Sequence, residues 1–295
     1  MVSARKILLG VAALLAVGIA PLASAGWGDL DMPVGVTQLS KEIHGLHTAV
    51  LWVCIVIGIA VFGVMIYSMI KFRKSQGAIP DTTLIHSTRV EIVWTVVPVI
   101  ILVAMVVPAT RTLMTIEDAR GVELNIKVTG YQWKWQYEYL EDGINFFSTL
   151  DRASNAARQL QSGIDPNSVP HYLLNVDNPL VIPVGTKVRL LLTAQDVIHS
   201  WWVPEFGMKK DAIPGFTNEM WIRVDEDKPG LYRGQCAELC GRDHGFMPIV
   251  VDVKSKADYA AWVAAHKEVA KPPADAAPAD TAHVAAPTGA TPTAG

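Results

Sequence analysis

Two apolar runs, each longer than a globular core helix needs, give way near residue 115 to short segments that alternate with period two. Thr48 to Ile70 carries no charge over 23 residues, roughly 35 Å as a helix. Ile92 to Thr110 is uncharged over 19 residues, roughly 28 Å, and Pro98 inside it predicts a kink. Both are expected to cross a bilayer, as spans 48–70 and 92–110. A shorter apolar stretch opens the chain: Arg5 and Lys6, then Ile7 to Ala20, then Ala23-Ser24-Ala25. A basic start, an apolar centre and a small-x-small end predict a secretory signal peptide over 1–25.

Beyond Thr115, Leu124-Asn-Ile-Lys-Val and the stretches 179–183, 187–193, 219–224 and 247–253 read as strands. Asp142-Gly143, Gly185, Pro214-Gly215 and Pro229-Gly230 mark turns between them. Many short strands without a long amphipathic helix predict a β-sandwich or barrel over 115–255. Residues 150–172, rich in Ser, Asn, Gln and Ala, read as an insertion with room for one helical turn. A short helix is expected within 256–270. The Ala, Pro, Thr and Gly of 271–295 offer almost nothing bulky to bury and predict a disordered tail.

Charge orients the hairpin. Its connector, 71–91, holds Lys71, Arg73, Lys74 and Arg89 against Asp81 and Glu91, whereas segment 26–47 has Asp29, Asp31 and Glu42 against Lys41. The positive-inside rule puts the connector in the cytoplasm and the strand-rich domain outside. From 115 to 254 there are 19 Asp and Glu against 14 Lys and Arg. That balance argues against nucleic acid and is compatible with a basic partner. No phosphate loop, hydrolase elbow or zinc-protease helix motif occurs, and there is no Cys-x-x-Cys-His for covalent haem.

Chemistry concentrates in one loop, Gly234-Gln-Cys-Ala-Glu-Leu-Cys-Gly-Arg-Asp-His-Gly-Phe-Met-Pro248. Cys236, Glu238, Cys240, His244 and Met247 fall within it, and the two thiols, the imidazole and the thioether among them form a soft sulfur and nitrogen donor set, suited to copper or zinc and poorly to magnesium or calcium. Two of the chain's three cysteines are used here. A disulfide accounts for the cysteines but not for His244 and Met247 following in step. A Cys2His2 zinc site, with His199 as fourth ligand, gives Met247 no role. Met247 resembles the weak axial thioether of copper electron-transfer sites. His199, in Asp196-Val-Ile-His-Ser-Trp-Trp-Val-Pro204, is read as ending an earlier strand that brings it to the loop.

The aromatics Tyr131, Trp133, Trp135, Tyr137 and Tyr139 occupy alternate positions, which in one regular strand places all five on one face. Five large rings overfill one face of a small sandwich. Part of the stripe is therefore expected on a docking surface, or re-aimed by a bulge.

His199-Ser-Trp-Trp-Val-Pro204, Asp211-Ala-Ile-Pro-Gly215 and the ligand loop together resemble subunit II of the haem–copper cytochrome c oxidases. Gly130-Tyr-Gln-Trp-Lys-Trp-Gln-Tyr-Glu-Tyr139 and Glu91-Ile-Val-Trp-Thr-Val-Val-Pro98 are similar to that family as well. The likeness covers about residues 40–265. It implies a cupredoxin-like Greek-key domain with a dinuclear copper (CuA) centre behind a two-helix membrane hairpin. Cys236 and Cys240 would bridge two copper ions, with one imidazole each from His199 and His244. Met247 would complete one copper, and the backbone carbonyl of Glu238 the other.

The same resemblance implies a magnesium ion on the Glu238 side chain, shared with subunit I, and electron entry from cytochrome c at Trp133, with Trp135 as the second candidate. Glu138, Asp177 and Asp196 correspond to acids that attract cytochrome c. Glu91, beside Arg89, reads from the residues alone as a snorkelling anchor or part of a proton path. The resemblance favours the mouth of a proton channel in subunit I. It further implies an oxidase assembly with subunits I and III in a bacterial inner membrane, lipid around the hairpin, no haem in this chain, and oxygen chemistry in subunit I. A nitric or nitrous oxide reductase using the same copper loop, or a membrane-tethered copper-delivery protein, are the alternatives.

Overall fold

The computed structural model describes residues 31–79, 83 and 85–270. The expected signal peptide and the Ala/Pro/Thr tail lie outside the described residues.

Helix α1 (Gln38–Lys71) contains the first expected span and begins well before it. Thr37 starts it with a reciprocal cap: the Ser40 N–H donates to Thr37 Oγ1 (2.9 Å), and the Thr37 N–H donates to Ser40 Oγ (3.1 Å). Helix α2 (Thr88–Ile116) likewise outruns the second span and carries Pro98 and Pro108. Both are long and apolar enough to cross a membrane, with their apolar windows facing outward from the protein. They lie side by side around a groove lined by Val50, Val53, Leu102 and Met105.

The β domain has ten strands: β1 (Leu124–Tyr131), β2 (Lys134–Tyr139), β3 (Ile144–Ser148), β4 (Leu180–Pro183), β5 (Val188–Ala194), β6 (His199–Val203), β7 (Met208–Ala212), β8 (Asn218–Ile222), β9 (Gly230–Cys236) and β10 (Pro248–Lys254). One sheet runs β3-β2-β1-β5-β8, the other β4-β10-β9-β6-β7. Pairings are antiparallel except β1 with β5 and β4 with β10. Alternation explains the layers: β2 and β5 bury every second residue. Ile126, Val128, Leu190 and Leu192 join Trp201, Val203, Ile249 and Val251 in a single core. Each such aliphatic side chain contributes roughly 2 kcal/mol on burial.

The five-ring stripe is not one strand. β1 ends at Tyr131 and β2 starts at Lys134, the two residues pairing antiparallel across the Gln132-Trp133 turn. Opposed residues in such a pair share a face, so the reversal moves Tyr131 to the face of Lys134 and Gln136. Its hydroxyl donates to Gln136 Oε1 at 2.8 Å. Trp135, Tyr137 and Tyr139 alone keep the inward face, all buried. Trp133 sits in the turn, half-buried.

The insertion forms a short helix, α3 (Arg152–Ala157), capped by Asp151. Helix α4 (Lys256–Ala270) closes the domain, setting Trp262 against Tyr139 at 5.2 Å between ring centres.

The start of α1 is stitched to the domain. Val36 N–H donates to the Glu205 carbonyl (2.9 Å), and Asp225 N–H donates to the Val36 carbonyl (3.0 Å). Thr37 forms a bridge with Val224, and its hydroxyl donates to the Phe206 carbonyl (3.1 Å). Leu39 is part of the core, and Lys41 pairs with Asp225.

Candidate metal centre

His199 opens β6 rather than ending a strand. β5 stops at Ala194, and Asp196 then folds the chain by accepting N–H groups from Val197 and Gln132, both at 2.7 Å. Cys236 ends β9 and the other donors lie between β9 and β10, so two neighbouring strands of one sheet, β6 and β9, frame the site.

Cys236 and Cys240 are free thiols, with sulfurs 3.8 Å apart. His199 Nδ1 lies 3.9 Å from Cys236 Sγ, and the Glu238 carbonyl oxygen 3.4 Å from the same sulfur. Around Cys240 Sγ stand His244 Nδ1 and Met247 Sδ, each at 3.5 Å. Cys236, Cys240, Met247 and His199 are all buried. Water is largely excluded, while His244 remains half-exposed.

Surrounding groups fix these donors. Asp196 Oδ1 is 2.9 Å from His199 Nε2, a contact that keeps the proton on Nε2 and leaves Nδ1 facing the sulfurs. The edge of Trp135 packs on the His199 ring at 5.9 Å, and its indole N–H donates to the Met247 carbonyl (3.4 Å). Gln132 Nε2 (2.9 Å) and Trp133 Nε1 (3.2 Å) both donate to the Cys240 carbonyl.

The electrostatics separate the two thiols. Burial opposes charge on both, yet His199 and backbone N–H groups hold the Cys236 thiol below its usual value. Burial, reinforced by the charge on Cys236, pushes the Cys240 thiol up to about 12. Against its own burial, His199 is raised by Cys236 and Asp196. The pocket thus favours ionisation of Cys236 over Cys240, and a bound cation would favour the thiolate form of both.

Residues 124–254 match the family described as cytochrome C oxidase subunit II, periplasmic domain, and residues 25–111 match its transmembrane domain. A probable cytochrome c oxidase subunit 2 of Rickettsia bellii is 42% identical over 79% of this chain and 82% of its own length. The chain belongs to the cytochrome c oxidase subunit II family. A cytochrome c oxidase subunit 2 of Cereibacter sphaeroides is 34% identical over 80% of each chain. The crystal structure of the periplasmic domain of subunit II of a Bradyrhizobium japonicum cytochrome oxidase is 40% identical, covering 50% of this chain and 96% of that one, with a TM-score of 0.42.

The subunit II family carries copper, and the buried His199, Cys236 and Cys240 cluster, its ligand atoms all within 4.8 Å of one another, is compatible with it. The donor set fits: two sulfurs at the centre, imidazole nitrogens on both sides, a thioether and a carbonyl beyond.

The remaining expected residues are dispersed. The Glu238 side chain is exposed; Arg242 pairs with Asp243 (3.3 Å) and lies over the Trp133 ring (5.6 Å). Glu138 pairs with Lys127 at 2.8 Å. Asp177 accepts the Thr149 N–H (2.7 Å) and hydroxyl (2.9 Å). Asp196 is the partner of His199 described above. Glu91 lies in the first turn of α2, where a carboxylate complements the helix dipole. The supporting contacts of Gln132 and Asp196 carry no sequence signature of their own, although Asp196 stands three residues before His199 and Gln132 lies in the aromatic motif.

Proposed function

We propose that this chain is the electron-entry subunit of a respiratory terminal oxidase in a bacterial inner membrane. It accepts electrons from a cytochrome c at a dinuclear copper centre and passes them to haem in subunit I, where oxygen is reduced to water with proton translocation. The observation that carries the reading is the count and arrangement of donors. Four further donor atoms gather about two adjacent sulfurs, six in all, more than the four a single tetrahedral zinc employs.

Cys236, Cys240, His199, His244, Met247 and the Glu238 carbonyl would hold the copper. Copper bound there would supply one-electron transfer with its charge shared through the thiolates. The protein's own part is preorganisation. Asp196 holds the His199 tautomer, Trp135 holds the Met247 backbone, and the buried sulfurs meet little water. Trp133, half-buried and hydrogen-bonded to the Cys240 carbonyl, offers a short bonded route from the surface to a ligand. It is the proposed entry point, ahead of the buried Trp135.

The copper-loaded chain should give the EPR signature of a mixed-valence pair; a spectrum of isolated copper alone, or firm preference for zinc, would sink the assignment. Trp133→Gln should strongly slow reduction by cytochrome c at unchanged copper content, and unaltered transfer removes Trp133 from the route. Glu91, at the inner end of α2, is proposed as an entry to the proton path. Glu91→Ala should slow proton uptake by the assembled oxidase and leave copper intact, whereas normal uptake returns Glu91 to the role of anchor.

A further inference from the structure

Arg158 lies just past the end of α3, in the insertion between β3 and β4, far in sequence from every donor. Its guanidinium nevertheless reaches the ligand loop twice: Nη2 stands 3.6 Å from Asp243 Oδ2, and Cζ lies 4.3 Å above the Phe246 ring. Both charged side chains are mostly buried, at 23% and 15% exposure, so solvent screens this pair less than an open surface pair. Arg158 is itself braced. Its Nε donates to Asn155 Oδ1 (2.8 Å) and its N–H to the Ser154 carbonyl (3.0 Å). Ser154 is fully buried and accepts the Leu173 N–H (3.1 Å), while the Asp151 N–H ties the start of α3 to the Asn175 carbonyl (3.1 Å).

The two residues gripped are informative. Asp243 and Phe246 bracket His244 and precede Met247, the two donors on Cys240. This part of the loop is a single tight turn, and the Asp243 side chain makes no cap hydrogen bond within it. The carboxylate is turned instead to Arg158 on one side and Arg242 on the other. His199, by contrast, starts a strand and is held by Asp196 and Trp135 instead.

We propose that Arg158 is a positioning residue of the metal centre, a clamp from the insertion that holds the Asp243–Phe246 turn so that His244 and Met247 stay on the Cys240 sulfur. The clamp uses both properties of a guanidinium, charge toward Asp243 and a flat face toward Phe246. As a claim about copper it rests on the function proposed above; as a claim about the loop it stands on the geometry alone.

The test uses the full chain in detergent, as parent, Arg158→Ala, Arg158→Lys, Asp243→Asn and the double variant Arg158→Ala with Asp243→Asn. In the copper-free chain, amide hydrogen exchange over 241–247 should quicken about tenfold in Arg158→Ala while amides of β9 and β10 keep their protection. After loading, copper release to a chelator should be about tenfold faster, the range typical of lost supports around metal ligands. The copper absorption bands should shift, and Arg158→Lys, which keeps the charge but not the flat face, should recover part of each effect. Asp243→Asn should mimic Arg158→Ala, and the double variant should be no worse than either alone. Unchanged exchange over 241–247 in Arg158→Ala, or unchanged release from a parent that does load copper, overturns the inference. A parent that loads no copper overturns the proposed function, and the exchange comparison still decides whether Arg158 clamps the turn.

Discussion

At Gly130 the backbone of β1 runs so close to His199 that a Cβ would lie 2.8 Å from ring carbon Cδ2 and 3.0 Å from Cγ. The ring cannot retreat freely, since Trp135 packs against it and Asp196 holds its Nε2. Gly130→Ala should therefore displace the imidazole or bow the strand, costing about 1–3 kcal/mol of stability and weakening copper binding about tenfold. Copper titration with unfolding measured in parallel checks both, and a variant matching the parent in each would mean that the site yields at no cost. Gly241 is constrained in a similar way. Its φ of +116° suits glycine, and a Cβ there would stand 3.1 Å from Gln132 Nε2 and 3.2 Å from Trp133 Cζ2. The close seating of Trp133 on the ligand loop depends on that missing side chain. Such demands act through space between distant segments, so the glycines read in the sequence only as parts of motifs. The cysteines, His244 and Met247 announced themselves because their spacing is local.

Among elements, legibility followed side-chain pattern. β4, β5, β8 and β10 combine bulky apolar residues with flanking turn signals, and each expected strand lies within a residue or two of the observed one, while β1 begins where expected and runs three residues further. β7, Met-Lys-Lys-Asp-Ala, is a polar strand at a sheet edge with no apolar alternation to reveal it. β9 is interrupted by Gly234, which is needed because the Trp202 carbonyl occupies the space of a Cβ. The hairpin between β1 and β2 was hidden for another reason: its turn contains two residues, so the aromatic alternation continues in the sequence even though the chain has reversed. That reversal takes Trp133 out of the core-facing row and puts it on the ligand loop. Helix α1 was underestimated at its start, where Lys41, Glu42 and His44 look like a polar loop, although Leu39 is part of the core and Ile43 packs against it.

In the molecule as a whole, the two-helix hairpin and the β-sandwich meet at a seam that serves both. Thr37 caps α1 and donates to Phe206, just beyond β6. Thr37→Ala removes the cap and leaves the Phe206 carbonyl without this donor. A loss of about 1 kcal/mol is expected, or roughly 2–4 °C in the melting temperature of a unit this size. Thermal unfolding in detergent measures it, and an unshifted midpoint would show that the seam bears no load.

β6 runs from His199 at the metal loop to Val203, and the turn that follows it grips Val36 and Thr37. A five-residue strand spans roughly 17 Å, which makes β6 a ruler between the ligand loop and the first membrane helix. Whatever tilt α1 takes in the bilayer is handed on to the ligand loop. The ligand loop therefore stands at a set height and angle relative to the first membrane helix, and any molecule that approaches it must find its own orientation.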